Sequence, residues 1–193
     1  MDVQEIVALY ARGHFLMDNG EGLAWYRSKV HALIPLDERF HVHRSLRRAL
    51  NSGRFEARID GDFAATVENC ANRGGRFDAE AWISDELKEI YLALHAAGIA
   101  HSFEVWQGGE LAGGVLGLAL GGVFIGESMF YKVPEASKVA MVWLVEHLRS
   151  RGFEYFDAQI QNPHLARFGA YEIPEREFLP LLAKAVRKPV RFV

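Results

Sequence analysis

The chain reads as a mixed α/β (α+β) protein with a mixed, mostly antiparallel sheet, and three observations carry that reading. A helix-period stretch from Ser84 to Ala97, with Leu87, Ile90, Tyr91 and Leu94 on one stripe, stops at Gly98. Three strand-like runs follow: His101–Trp106, Glu110–Leu120 and Val123–Ser128. They are joined by the short turns Gln107-Gly-Gly109 and Gly121-Gly122, the spacing of an antiparallel meander. A strong helical stretch from Glu135 to Arg151 then ends at Gly152 and leads into the strand Tyr155–Ile160.

The remaining elements follow in order. Val3, Ile6, Val7 and Tyr10 fall at helical spacing, in a helix that Gly13 stops. Residues 13–29 read as a loop holding Asp18-Asn-Gly-Glu-Gly22, Trp25 and Tyr26. Val30–Leu36 predicts a strand, Ser45–Leu50 a short helix, and Phe55–Asp60 an edge strand. Asp62 is placed to cap the helix that carries Cys70, which Asn72-Arg-Gly-Gly75 ends. Ile173-Pro-Glu-Arg-Glu177 opens a last helix. Helix, meander, long helix, strand is the order of the acetyltransferase-like GNAT fold, an analogy of architecture that supplies no reaction. The expected division is a small N-terminal subdomain, 1–75, beside a GNAT-like catalytic domain, 76–193.

With 193 residues, half of them apolar, the chain can bury a sizeable core. A net charge of −3 gives no overall pull toward nucleic acid, but the distribution is uneven. Arg39, Arg44, Arg47, Arg48, Arg54 and Arg58 stand together against Glu56 alone, a patch able to hold phosphate within a Debye length. A single cysteine, Cys70, precludes an internal disulfide and fits a reducing compartment. Met1-Asp-Val-Gln-Glu5 shows no signal-peptide pattern, and the longest apolar stretch, 111–126, is glycine-dense and short for a membrane helix. A cytoplasmic monomer with no membrane association is expected.

Three polar residues stand in apolar surroundings. Glu127 ends the run Val123-Phe-Ile-Gly-Glu127, and Asp157 and Gln159 lie two apart in a strand, so that alternation places both on one face. A buried carboxylate is costly unless paired, so each either satisfies nearby backbone groups or serves a site. The eight histidines show no tight metal spacing; His41-Val-His43 comes nearest, and no metal is expected. Ser128 lacks a nucleophile-elbow context. A CoA-dependent N-acyltransferase would need a glycine-rich pyrophosphate turn before the long helix, where this chain has Phe130-Tyr-Lys-Val-Pro-Glu-Ala-Ser-Lys138.

Several motifs in fixed order point further. Tyr10-Ala-Arg-Gly-His-Phe15, Phe40-His-Val-His-Arg-Ser45, Ala81-Trp-Ile-Ser84, His101-Ser-Phe-Glu-Val-Trp106, Leu111-Ala-Gly-Gly114, Gly126-Glu-Ser-Met-Phe130, Ala136-Ser-Lys138 and Phe168-Gly-Ala-Tyr-Glu-Ile-Pro174 occur in sequence. Together they resemble the leucyl/phenylalanyl-tRNA–protein transferase family, over essentially the whole chain. The resemblance implies a GNAT fold that works without CoA or another cofactor. It implies transfer of Leu, Phe or Met from aminoacyl-tRNA to proteins beginning with Arg or Lys, which marks them for degradation.

The resemblance also implies roles. Glu127 would contact the acceptor's N-terminal end. Gln159 would orient or help deprotonate the attacking amine, with Asp157 polarising it. Tyr91 and Trp82 would line the site near the tRNA 3′ end, while Phe124, Val115 and Leu144 would shape the pocket for the transferred side chain. Arg44, Arg47 and Arg48 would touch tRNA phosphates. Where the family carries a proline and an aromatic after its Arg-Gly-x-Phe element, this chain has Leu16-Met17, so Met17 and Trp25 are the candidates to replace that aromatic. The alternatives at this stage are the CoA-dependent acyltransferase and a tRNA-binding module without catalysis.

Overall fold

The computed structural model describes residues 2–72 and 83–193. Helix α1 (Val3–Tyr10) leads into a two-stranded antiparallel hairpin, β1 (His14–Asp18) and β2 (Leu23–Arg27). The segment read as a loop is therefore mostly paired, with Leu16 opposite Trp25 and Met17 opposite Ala24. Only residues 19–22 turn, closed by a hydrogen bond from the Asn19 amide to the Gly22 carbonyl.

Among the described residues, the main sheet has seven strands. These are β3 (Val30–Ile34), β4 (Glu56–Ile59), β5 (Ala100–Gln107), β6 (Glu110–Leu120), β7 (Val123–Tyr131), β8 (Tyr155–Gln159) and β9 (Tyr171–Pro174), in the order β4-β5-β6-β7-β8-β3-β9. Only β7 and β8 run parallel; every other pair is antiparallel. The meander β5–β6–β7 and the edge position of β4 follow the expected pattern. Strand β9 was not expected, because it is four residues long and pairs with β3, about 140 positions away in sequence. Strands from both parts of the expected 1–75 and 76–193 division share this one sheet: β3 and β4 precede residue 75, and the other five follow it.

Helices α2 (Arg44–Leu50), α3 (Phe63–Ala71), α4 (Asp85–Ala96), α5 (Ala136–Arg151), α6 (Pro163–Ala166) and α7 (Glu175–Ala185) complete the chain. Their ends follow local chemistry. Asp62 accepts the Ala65 amide at 3.0 Å and Ser84 accepts that of Leu87 at 3.4 Å, side-chain caps typically contributing about 1 kcal/mol each. Helix α5 stops at Gly152, whose φ of +83° is left-handed.

Two apolar clusters cover the two faces of the sheet. The first joins Ile6 and Tyr10 of α1, Val67 and Cys70 of α3, Leu87, Tyr91 and Leu94 of α4, and Phe178 of α7 to Leu116, Leu118 and Ile125. The second seats α5 through Val139, Ala140, Leu144, Val145 and Leu148 against Val115, Phe124 and Phe156. Cys70 is buried in the first cluster. Among the described residues, no helix is long and apolar enough to cross a membrane.

Candidate active site

The parallel pairing of β7 with β8 ends at Ile125 opposite Asp157. Beyond that point the two strands part, and their next residues carry the polar groups that sequence had singled out. Glu127 sits at an irregularity: Leu116 pairs with Ser128 and Gly117 with Gly126, so Glu127 is the extra residue of a β-bulge. Bulges re-aim a side chain, and here the Glu127 carboxylate is turned toward Tyr91 in the first cluster.

Tyr91, Gln159 and Tyr10 converge on it. The Tyr91 hydroxyl, fully buried on α4, donates to Oε2 at 2.8 Å, and the Gln159 amide donates to Oε1 at 3.0 Å. Burial raises the Glu127 carboxyl from its ordinary value to about 7. The hydrogen bonds from Tyr91, Tyr10 and Gln159 oppose that rise, and the charge of Asp157 adds to it. The Tyr10 and Tyr91 phenols are in turn pushed well above their usual range by burial and then by the charge of Glu127. Both therefore stay protonated donors near neutral pH.

Gln159 reaches Glu127 through strained backbone. Its φ of +61° lies in the left-handed region, rare for a residue other than glycine. Asp157 and Gln159 still face the same side of the sheet, as strand alternation predicts: Asp157 meets His31, stacked on Phe178, and Gln159 meets Glu127 beside Tyr91. Asp157 does not meet the Gln159 side-chain amide. Its Oδ1 accepts the Gln159 main-chain N–H at 2.8 Å, and its Oδ2 lies 3.2 Å from Nδ1 of His31. Asp157 thus holds the turn that aims Gln159.

His31 of β3 is 1% exposed and stacks on Phe178 with ring centres 4.2 Å apart; its Nε2 has no partner among the described residues, so Nδ1 is the nitrogen that donates to Asp157. Sequence reading passed over this residue among the eight histidines. The available signal was one polar residue inside the apolar run Val30-His-Ala-Leu-Ile34.

The comparisons bear on what this arrangement serves. The profile of the leucyl/phenylalanyl-tRNA protein transferase family matches residues 33–183, which include Tyr91, Glu127, Asp157 and Gln159. A leucyl/phenylalanyl-tRNA–protein transferase of Synechococcus sp. (strain JA-3-3Ab) is 58% identical over 194 residues, spanning 100% of this chain and 98% of its own length. The chain belongs to the leucyl/phenylalanyl-tRNA protein transferase family. The transferase of Thermosynechococcus vestitus is 59% identical over 184 residues, covering 95% of this chain and 91% of that protein. In fold alone, the chain is similar to the crystal structure of FemX, with a TM-score of 0.56 at 12% identity over 82% of this chain and 65% of that one.

The other residues that the transferase resemblance singled out fall in three places. Trp25 packs edge-on against Tyr10, ring centres 5.5 Å apart, which brings the β1–β2 hairpin beside the Glu127 cluster; Met17 is half-buried in the same hairpin. Val115, Phe124 and Leu144 do not join that cluster. They are 2%, 0% and 0% exposed in the second apolar layer, where Phe124 is held between the rings of Phe156 and Phe192. Trp82 lies outside the described residues.

The arginine patch divides. Arg39 pairs with Asp37 at 2.7 Å, Arg54 lies over Phe55, and Arg58 lies over Trp106. Arg44, Arg47 and Arg48 are exposed on α2 and form no ion pair among the described residues.

Proposed function

We propose that the protein transfers Leu, Phe or Met from charged tRNA to the α-amino group of proteins beginning with Arg or Lys, marking them for degradation. The supporting observation is Glu127, a carboxyl held near pKa 7 and bonded to the Gln159 amide at the parting of β7 and β8. An aminoacyl ester is already activated, so the reaction needs an aligned amine and a modest proton acceptor. An α-amino group has a pKa of about 7.7–8.0, close to that of this carboxyl.

In this reading the amine approaches Gln159, whose amide oxygen accepts one of its hydrogens while the amide N–H stays on Glu127. The amine nitrogen attacks the ester carbonyl carbon, the carbon–oxygen bond to the ribose breaks, and the ribose oxygen leaves as a hydroxyl. Glu127 takes the proton lost by the amine and returns it toward that oxygen. Alignment of the two bound reactants supplies much of the rate, up to about 7–11 kcal/mol. Tyr91 fixes the carboxylate, and Trp25, Met17 and Trp82 are assigned to the tRNA 3′ end.

The pocket for the transferred side chain is assigned to Val115, Phe124 and Leu144 in the second apolar layer, across the sheet from the Glu127 cluster, in a GNAT-like frame whose parallel pair is β7 and β8. Such a pocket separates side chains by about 1–3 kcal/mol per methylene-sized difference. Arg44, Arg47 and Arg48 hold tRNA phosphates, and the protein acts as a cytoplasmic monomer.

Radiolabelled leucine and phenylalanine on tRNA, offered to peptides beginning with Arg, Lys, Asp or Glu, test the reading. Label is expected on the Arg and Lys peptides. Label on acidic peptides alone would overturn the acceptor assignment, and no transfer to any peptide would overturn the activity.

A further inference from the structure

A polar cavity lies on the segments that follow β7 and β8 in the chain. After β7 the chain enters α5 at Ala136, and after β8 it enters α6 at Pro163. Where these two helices meet α2, a cavity of about 140 Å³ is lined by His43, Ser45, Glu135, Lys138, His164 and Arg167, with Leu46 and Phe168 as its apolar walls. It is large enough for a phosphate group.

Its chemistry is cationic and incompletely satisfied. Lys138 is paired only with Glu135, at 3.0 Å, and Arg167 is exposed with no ion pair among the described residues. Nε2 of His164 is buried with no hydrogen-bond partner among the described residues, although its ring packs edge-on to Phe168. Burial first, then the charges of Lys138 and Arg167, lower the pKa of His164, so the two cations act on this ring directly. An anion in the cavity would relieve that repulsion and give Nε2 a partner. Glu135 and Lys138 also bring the start of α5, the positive end of a 16-residue helix, to the edge of the cavity. The cavity also continues onto α2, where Arg44, Arg47 and Arg48 stand exposed.

We infer that this cavity is a subsite for a backbone phosphate of the tRNA, held by Lys138, Arg167 and His164, with His43 at its rim. The inference rests on the tRNA-dependent activity proposed above and extends it: the basic face of α2 continues into a fixed phosphate anchor only a few residues beyond the reacting groups. Glu135, 3.0 Å from the Lys138 ammonium, competes with an anion for it and so tempers the strength of the subsite.

Binding of deacylated leucine tRNA, followed by fluorescence anisotropy from 50 to 200 mM salt, tests this. Lys138→Gln and Arg167→Gln are each expected to weaken binding by about 5- to 10-fold and to reduce the slope of log affinity against log salt by about one. Glu135→Gln is expected to tighten binding by about 2- to 3-fold, a change of sign that damage to the fold cannot produce. If wild type binds and the lysine and arginine variants match it in affinity and slope, the subsite is wrong while the activity stands. A loss of affinity in Glu135→Gln equal to theirs also overturns it. If wild type itself binds no tRNA, the proposed activity falls, and the subsite with it.

Discussion

Glu127→Gln is expected to lower single-turnover transfer at pH 8 by about 10²- to 10⁴-fold, the range spanned by positioned acid–base groups. The substitution keeps the size and one hydrogen-bond acceptor for Tyr91 but removes the proton acceptor. Burial lifts the Glu127 carboxyl to about 7, and only its ionised form takes a proton, so the wild-type rate should rise through that region. The α-amine of the acceptor loses its own proton at about 7.7–8.0 in the same direction. A rate profile from pH 5.5 to 9 should therefore show two ionisations in wild type and one in the variant.

The same shift has a stability consequence of fixed sign. A carboxyl that binds its proton more tightly folded than unfolded contributes most below its unfolded pKa, near 4.5. That contribution is lost as pH rises through about 7. Relative to wild type, Glu127→Gln should thus melt at a progressively higher temperature between pH 5 and 8. An offset that stays constant across this range would contradict a raised carboxyl.

Asp157→Ala is expected to damage both stability and transfer. Asp157 is 4% exposed and is the acceptor for the Gln159 main-chain N–H and for His31. Its removal leaves buried donors without partners, a change on the order of 2–4 kcal/mol in urea unfolding. It also releases the left-handed backbone at Gln159, which persists only where its surroundings hold it. The amide should then leave Glu127, and transfer should fall by about 10- to 100-fold in the fraction that remains folded. Asp157→Asn can still accept the Gln159 N–H through its amide oxygen, and its amide N–H meets His31 Nδ1 once the imidazole proton moves to Nε2. It should recover most of the stability and much of the rate. Equal losses in the two variants would show that the charge, and not the hydrogen bond to the turn, is what matters.

Local signals account for most of what sequence reading found. Gly98, Gly121 and Gly152 mark real ends and turns, and Asp62 and Ser84 are real caps, because each acts within a few residues of itself. Glu127 and Asp157 were conspicuous as carboxylates within apolar strands. Features that depend on distant partners were not legible. The hairpin β1–β2 has mostly half-buried residues on both faces and so shows no alternation to read. Strand β9 exists only because β3 offers it an edge, and β3 itself is inserted between β8 and β9. The alternation that puts Asp157 and Gln159 on one face was legible; the left-handed backbone at Gln159, which carries its amide to Glu127, was not. His31 showed only as a polar residue in an apolar run, and its tie to the site depends on a partner 126 positions away.

The most direct test of the account is single-turnover transfer of labelled leucine from charged tRNA to an Arg-initiated peptide, with both substrates saturating, by wild type and Gln159→Ala. If Gln159 aligns the amine beside Glu127, the rate constant should fall by at least about tenfold, while the affinity for tRNA changes little. Equal rate constants for the two proteins would contradict the placement of the reaction at Glu127 and Gln159.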